Sequence, residues 1–416
     1  MTLPEYLDKK KNIQKDILDY LDEGNEESYN NLIKLLDELK FDENKNELKS
    51  ILQLINAISA NHHRSTDFFD KIEKILSNYK SIIKQTLSNA EVFNIFCRNK
   101  RILLFLLQED LITVDNLLQL TDDYIVYFYP EIQKKIDWSR KRKIQSGYNK
   151  TINKLKPEEF NEKRKIGEND SYVCTLIRND LIDEFVSYVH KTNLPLSSQI
   201  TPSIFETNAF LLNNHSHLFF VEEVPSLIEY AAFFGSIQIF QYLRINNVKL
   251  KPSLWIYAIH SNNAELIHML EEYRVFPVET MFPTQQNYYY RHKDDENNEN
   301  NFKSVWEANS FKTTMIEAIK CHHNNIYEYI MNQTSTEQKK DFLFFVNRIE
   351  KDNTDTDVLF SKFQYFNYLC FPEDISNDLL FFYACKYDYA SLVKFILEKT
   401  DVDINVSVIL IIVFCL

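Results

Sequence analysis

PSLIEYAAFFGSIQIFQYL (225–243) and PSLWIYAIHSNNAELIHML (252–270) write one pattern twice, 27 residues apart. Pro225 aligns with Pro252, Leu227 with Leu254, Tyr230 with Tyr257 and Ala231 with Ala258. Gly235 aligns with Asn262, Ile239 with Leu266 and Leu243 with Leu270. The frame recurs in MIEAIKCHHNNIYEYI (315–330), around Ala318, Ile326 and Ile330. It recurs again in LLFFYACKYDYASLVKFI (379–396), around Leu380, Tyr383, Ala384, Leu392 and Ile396. A weaker copy, CTLIRNDLIDEFV (174–186), carries Cys174, Ile182 and Val186. Self-similarity of this kind is the signature of stacked repeats.

The spacing predicts a short helix, a tight turn and a second helix in each copy. Alanine stands where the first helix must lie close to its neighbour. The turn position holds Gly235, Asn262, His322 or Asp388, residue types that tolerate or favour turns. An apolar pair four residues apart, such as Ile239 and Leu243, lines the second helix. One helix pair cannot bury both of its faces, so the copies must stack.

Outward from the repeats, apolar residues recur at 3–4 spacing through 1–133. Examples are Ile13, Ile17 and Leu21, then Leu48, Ile51, Leu52 and Ile55, then Ile72, Ile75, Leu76, Tyr79 and Ile83. About six helices are expected before Pro130. Residues 134–169 form a basic linker or solvated helix, with twelve basic and four acidic residues between Lys134 and Lys165. Repeats occupy 170–407. Inserts interrupt them at 213–224 and at 283–304, where NYYYRHKDDENNENNF has no apolar period. Phe360, Phe363, Phe366 and Leu369 mark a degenerate copy in 336–371, since Ala318 and Ala384 are 66 residues apart. The apolar tail 408–416 is shorter than the ~20 residues that a spanning helix needs.

The stretch LIEYAAFFGSIQIFQYL (227–243) resembles the ankyrin repeat, with Ala231, Ala232, Gly235, Phe240, Tyr242 and Leu243 matching the family pattern. Leu227, Ile228 and Glu229 stand where that family carries Thr-Pro-Leu-His. With LIRNDLIDEFV, SIFETNAFLL and AIKCHHNNIYEYI, the chain resembles a large protist ankyrin-type family whose members have a helical N-terminal domain of unknown function. The resemblance implies an all-α fold, a helical N-terminal domain followed by a degenerate ankyrin-like helix-turn-helix solenoid. It implies protein interaction rather than a reaction.

Only four glycines, Gly24, Gly147, Gly167 and Gly235, occur in 416 residues. Dinucleotide fingerprints, Walker loops and nucleophile elbows need glycines far closer together, so those enzyme classes are excluded. A net charge of −13 argues against a nucleic-acid partner. The six cysteines form no CxxC pair and MTLPEYLDKKKNIQ has no apolar leader region, so an intracellular and cytoplasmic chain is expected. The run Arg140-Lys141-Arg142-Lys143 opens a nuclear alternative, although charge runs more often serve solubility.

His62-His63, His215, His217 and Cys321-His322-His323 are the tempting metal ligands. Neighbouring histidines on a helix cannot both reach one ion easily, and no zinc-finger spacing occurs. Cys97, beside Arg98 and Lys100, reads as a core or boundary residue rather than a nucleophile. No catalytic, cofactor-binding or metal residue is therefore expected. Tyr288, Tyr289, Tyr290 and Arg291 form a candidate partner-binding tip in the second insert. The expected function is a non-enzymatic protein–protein interaction scaffold. The alternatives are a partner-recruiting adaptor subunit, for example of a ubiquitin ligase, and an enzyme with a cryptic N-terminal site. A nucleophile clustered with a histidine and a carboxylate would mark the enzyme.

Overall fold

A computed structural model describes residues 2–152, 155–212, 224–273, 275, 312–333, 356–372, 375–400 and 402. Among them the regular structure is helical, apart from one isolated bridge between Gln199 and Ser226. The chain is all-α. The insert 283–304, the tail 408–416, Tyr288 to Arg291, His215 and His217 lie outside the described residues, as does all of the first insert except Val224.

Seven helices open the chain: α1 (Leu3–Glu23), α2 (Glu26–Asp37), α3 (Lys45–Asn61), α4 (Phe68–Asn78), α5 (Lys80–Thr86), α6 (Asn89–Phe96) and α7 (Lys100–Gln108). Their ends are written locally. Thr2 and Glu5 form a capping box on α1, Asn25 caps α2, Asn44 caps α3, and Ser88 with Glu91 caps α6. The expected continuous run through Ile72 and Ile83 is two helices, because the backbone leaves the helical region at Tyr79 (φ −104°, ψ 8°). Short turns follow at α8 (Val114–Leu117), α9 (Asp122–Ile125) and α10 (Tyr129–Ile132). The basic stretch forms α11 (Trp138–Ile152) and α12 (Pro157–Ile166). Asp122 binds both ends of the basic run: Arg140 Nε and Lys143 Nζ donate to it at 2.8 and 2.9 Å.

Paired helices then succeed one another: α13 (Tyr172–Arg178) with α14 (Ile182–Thr192); after the single turn α15 (Ala209–Leu212), α16 (Leu227–Phe234) with α17 (Ile237–Ile245) and α18 (Leu254–His260) with α19 (Ala264–Glu272). Beyond the second insert come α20 (Lys312–Lys320) with α21 (Asn324–Gln333), α22 (Thr356–Gln364) with a 3₁₀ turn at Tyr368–Cys370, and α23 (Asn377–Lys386) with α24 (Ala390–Lys399). First helices pack on first helices: α13 on α16, α16 on α18, α18 on α20, α20 on α22. Ala231, Ala258, Ala318 and Ala384 are fully buried. So are Leu227, Tyr230, Ile239, Leu243, Leu254, Tyr257, Leu266 and Leu270.

Each pair turns through one left-handed residue: Asp180 (φ 48°), Gly235 (68°), Asn262 (52°), His322 (60°), Phe366 (55°) and Asp388 (60°). Only at Gly235 is a glycine used. Elsewhere a side chain bears the cost of about 1–2 kcal/mol, and two of these residues, His322 and Asp388, meet the N-terminal helices, as described below. The weak copy departs from the expected frame. Its turn is Asp180, and Phe185 and Val189, three residues beyond the expected Ile182 and Val186, are the buried pair of α14.

Two apolar cores result. One joins Cys174 through Ile330. The other joins the N-terminal helices to the last two pairs, from Tyr6 and Ile13 to Tyr383, Leu392 and Ile396. The end of the described chain therefore packs on its beginning, with α24 against α1 and α3 and the 3₁₀ turn at Tyr368–Cys370 against α1.

Candidate functional site

One hydrogen bond repeats along the helix pairs. At four of the five junctions between described pairs, the residue just after the left-handed turn donates to the carbonyl three residues before the turn residue of the preceding pair; at the fifth, Asn263 caps its own helix, accepting from Glu265 N and Leu266 N. Ser236 Oγ donates to Ile177 O (2.5 Å), His323 Nδ1 to Ile259 O (2.7 Å), Asn367 Nδ2 to Ile319 O (2.9 Å) and Tyr389 Oη to Phe363 O (2.6 Å). The position is chemically fixed as a donor and otherwise free, which is why the alignment did not show it. Each bond satisfies a buried carbonyl near a helix end.

The turns of the last three pairs carry α1 and α3. Gln14, fully buried, donates to Asn367 Oδ1 (2.9 Å), meets His322 Nδ1 (2.9 Å) and accepts from Leu369 N (3.2 Å). Tyr6 Oη meets Ser391 Oγ (2.9 Å), and Lys49 donates to the Asp388 carboxylate (2.6 Å).

At the end of α3 the sequence expectation for the histidines changes. The helix stops at Asn61, and His62 takes an extended backbone (φ −65°, ψ 154°). His62 and His63 therefore lie beyond the helix, with ring centroids 4.3 Å apart. Three of the flagged histidines meet: ligand nitrogens of His62, His63 and His323 lie within 4.8 Å of one another. His62 Nδ1 donates to the Cys321 carbonyl (2.8 Å), and His63 Nδ1 is 3.2 Å from His323 Nε2. Asp22 Oδ1 is 3.1 Å from His62 Nε2 and 3.3 Å from His63 Nε2. Burial, then the neighbouring His62, lowers His63 to about 4; burial also holds His322 at about 3 and His323 well below the usual value. His322 belongs to the turn and bonds Gln14, apart from this trio.

A second cluster adjoins the first. His260 Nε2 is 2.7 Å from Glu317 Oε1, and Cys321 Sγ is 3.3 Å from His260 Nδ1. This is a nucleophile, a histidine and a carboxylate in contact. Yet Cys321 is 0% and His260 2% exposed, so no substrate reaches the sulfur in this conformation. Burial, then Glu317, pushes the thiol well above its ordinary value, the reverse of an activated thiolate. Burial works against the Glu317 carboxylate too, but Lys320 (2.8 Å) and His260 outweigh it and hold it ionised. The chemistry is that of a satisfied buried network. Cys97 stands apart from it, half-buried at the end of α6.

A cavity of about 600 Å³ opens where Arg64 and Phe69 face Lys165, Glu168, Arg178 and Phe234. Glu168 lies between Arg64 (3.8 Å) and Arg178 (3.9 Å). Burial, then nearby Glu206, raises its carboxyl to about 7 despite both cations.

Comparison of the chain with protein-family models, curated proteins and solved structures finds no match. No described helix is long and apolar enough to cross a membrane.

Proposed function

We propose that the protein is a non-enzymatic protein–protein interaction scaffold, a degenerate ankyrin-like solenoid preceded by a helical domain. The observation that carries this reading is the recurring donor-to-carbonyl bond at Ser236, His323, Asn367 and Tyr389. It ties pair to pair at four of five junctions whatever the donor side chain, as stacked neighbours do in a repeat array. The scaffold also has an internal precedent for binding: α1 and α3 lie on the turns of its last three pairs through Gln14, Lys49 and Tyr6. External partners are assigned to the first three pairs, where Tyr172 and Ile245 expose 57% and 67% of their surface.

The test is proximity labelling in cells with the full chain and with Tyr172→Glu and Ile245→Glu variants. Proteins marked by the parent and lost with either substitution support the reading. A profile unchanged by both overturns the assignment.

A further inference from the structure

We propose that His62, His63 and His323 bind a transition-metal ion of the zinc class, which clasps the end of α3 to the turn of the α20–α21 pair. The stacking bond accounts for only one nitrogen of His323. Its Nδ1 donates to the Ile259 carbonyl, a duty that Ser236, Asn367 and Tyr389 perform elsewhere without a ring. Because a carbonyl only accepts, the proton of a neutral His323 is on Nδ1. Its Nε2 is then a bare lone pair, and it points at His63 Nδ1, 3.2 Å away.

His62 repeats the arrangement. With its Nδ1 proton on the Cys321 carbonyl, the neutral ring presents Nε2 as a second lone pair facing the Asp22 carboxylate at 3.1 Å, and a cation at Nε2, a proton or a metal ion, joins the two. An imidazole that gives one N–H to a backbone carbonyl and offers the other nitrogen is the usual metal-ligating form. Two lone pairs and a carboxylate thus converge with His63 as the sole neutral donor among them. A cation resolves that excess of acceptors.

The spacing suits the ion. Two ligands about 2.0–2.1 Å from a tetrahedral zinc stand roughly 3.3–3.4 Å apart, close to the His63–His323 separation of 3.2 Å. With His63 coordinating through Nδ1, its Nε2–H is free to donate to Asp22 Oδ1 at 3.3 Å. Imidazole nitrogens favour zinc, copper and nickel over magnesium and calcium. Entry is open, since the side chains of His63 and Asp22 are 27% and 42% exposed. The buried His260, Glu317 and Cys321 cluster lacks such a route, and Lys320 already neutralises its carboxylate.

The experiment is calorimetric titration of the chelator-treated full chain with Zn²⁺, with Mg²⁺ as a control and with hydrogen exchange read on the loaded protein. The expected result is one zinc per chain, no heat from Mg²⁺, and zinc-dependent protection in both α3 and residues 321–333. His63→Ala, at a partly exposed site that holds no stacking bond, should keep the helical spectrum and weaken zinc binding at least about tenfold. His323→Asn, which keeps a donor for the Ile259 carbonyl, should do the same, whereas Cys321→Ser should bind like the parent. Absence of stoichiometric zinc binding would overturn the proposal. So would binding unaffected by His63→Ala, or binding lost with Cys321→Ser alone.

Discussion

The first three helix pairs and the N-terminal helices solve the same burial problem in different ways. Between Cys174 and Leu270 the interior is stacked side by side, with alanines at the contacts and one turn geometry throughout. Between Tyr6 and Ile144 several helices carry their own side-chain caps, the helices differ in length, and they enclose polar groups, among them Lys10 at 1% exposure paired with Glu47. A periodic stack needs only its neighbour and can be extended. An irregular bundle closes on itself, and here it also closes over the last pair of the stack.

The sharpest way to break this contrast is Glu47→Ala. It leaves Lys10 buried without its carboxylate and should cost about 3–5 kcal/mol, read by urea unfolding. Burial already pulls the Lys10 ammonium below its ordinary range, with Glu47 opposing the shift. A cost within 1 kcal/mol, roughly the worth of a surface pair, would remove the contrast.

Next comes the cavity between the two regions. Glu168 has its carboxyl raised from an ordinary value of 4.5 to about 7 in the folded chain, so the fold prefers it protonated. Its contribution is fully present below 4.5 and is lost as pH rises through 7, by up to about 3 kcal/mol. The groups facing it are Glu206, Arg64 and Arg178. Glu168→Gln should therefore flatten stability between pH 5 and 8 relative to the parent. Parallel curves would contradict the buried, protonated carboxyl.

Within the stack, Ala231→Leu should cost about 1–3 kcal/mol by overpacking, while Gln238→Leu on the exposed side changes stability by less than about 0.5 kcal/mol. Gln238 is exposed, whereas Gln241 on the same helix is half-buried and reaches Met269. Equal melting temperatures for Ala231→Leu and the parent would mean that α16 and α18 are not close-packed there. Smallest is Gly235→Ala, about 1–2 kcal/mol for a left-handed residue. Its new Cβ would stand 3.3 Å from Asn263 Nδ2. No change in unfolding midpoint would contradict the left-handed turn.

Local grammar made the all-helical class legible. Ala231, Gly235 and the Ile239–Leu243 pair each report a constraint that operates within a few residues. The same grammar found Asn262, His322 and Asp388 at the turns, all of which have positive φ. It misplaced the buried pair of α14, because Ile182 and Val186 imitate the apolar frame three residues early. It missed the stacking donors, because serine, histidine, asparagine and tyrosine share a proton to give and little else. The histidine cluster was hidden for another reason. His62 was read as helical although α3 ends before it, and its partner His323 is 261 positions along the chain. Contacts such as Tyr6 with Ser391 leave no periodic trace at all.

The last pair belongs energetically to the N-terminal helices, with α24 packed on α1 and α3. Amide hydrogen exchange on the full chain carrying Leu392→Ala, a fully buried site, tests it, since such a truncation costs about 2–5 kcal/mol. The predicted result is faster exchange in α1 and α3 together with α23 and α24, while α16 to α19 keep their protection. Faster exchange spreading into α16 to α19, with α1 and α3 unchanged, would contradict it.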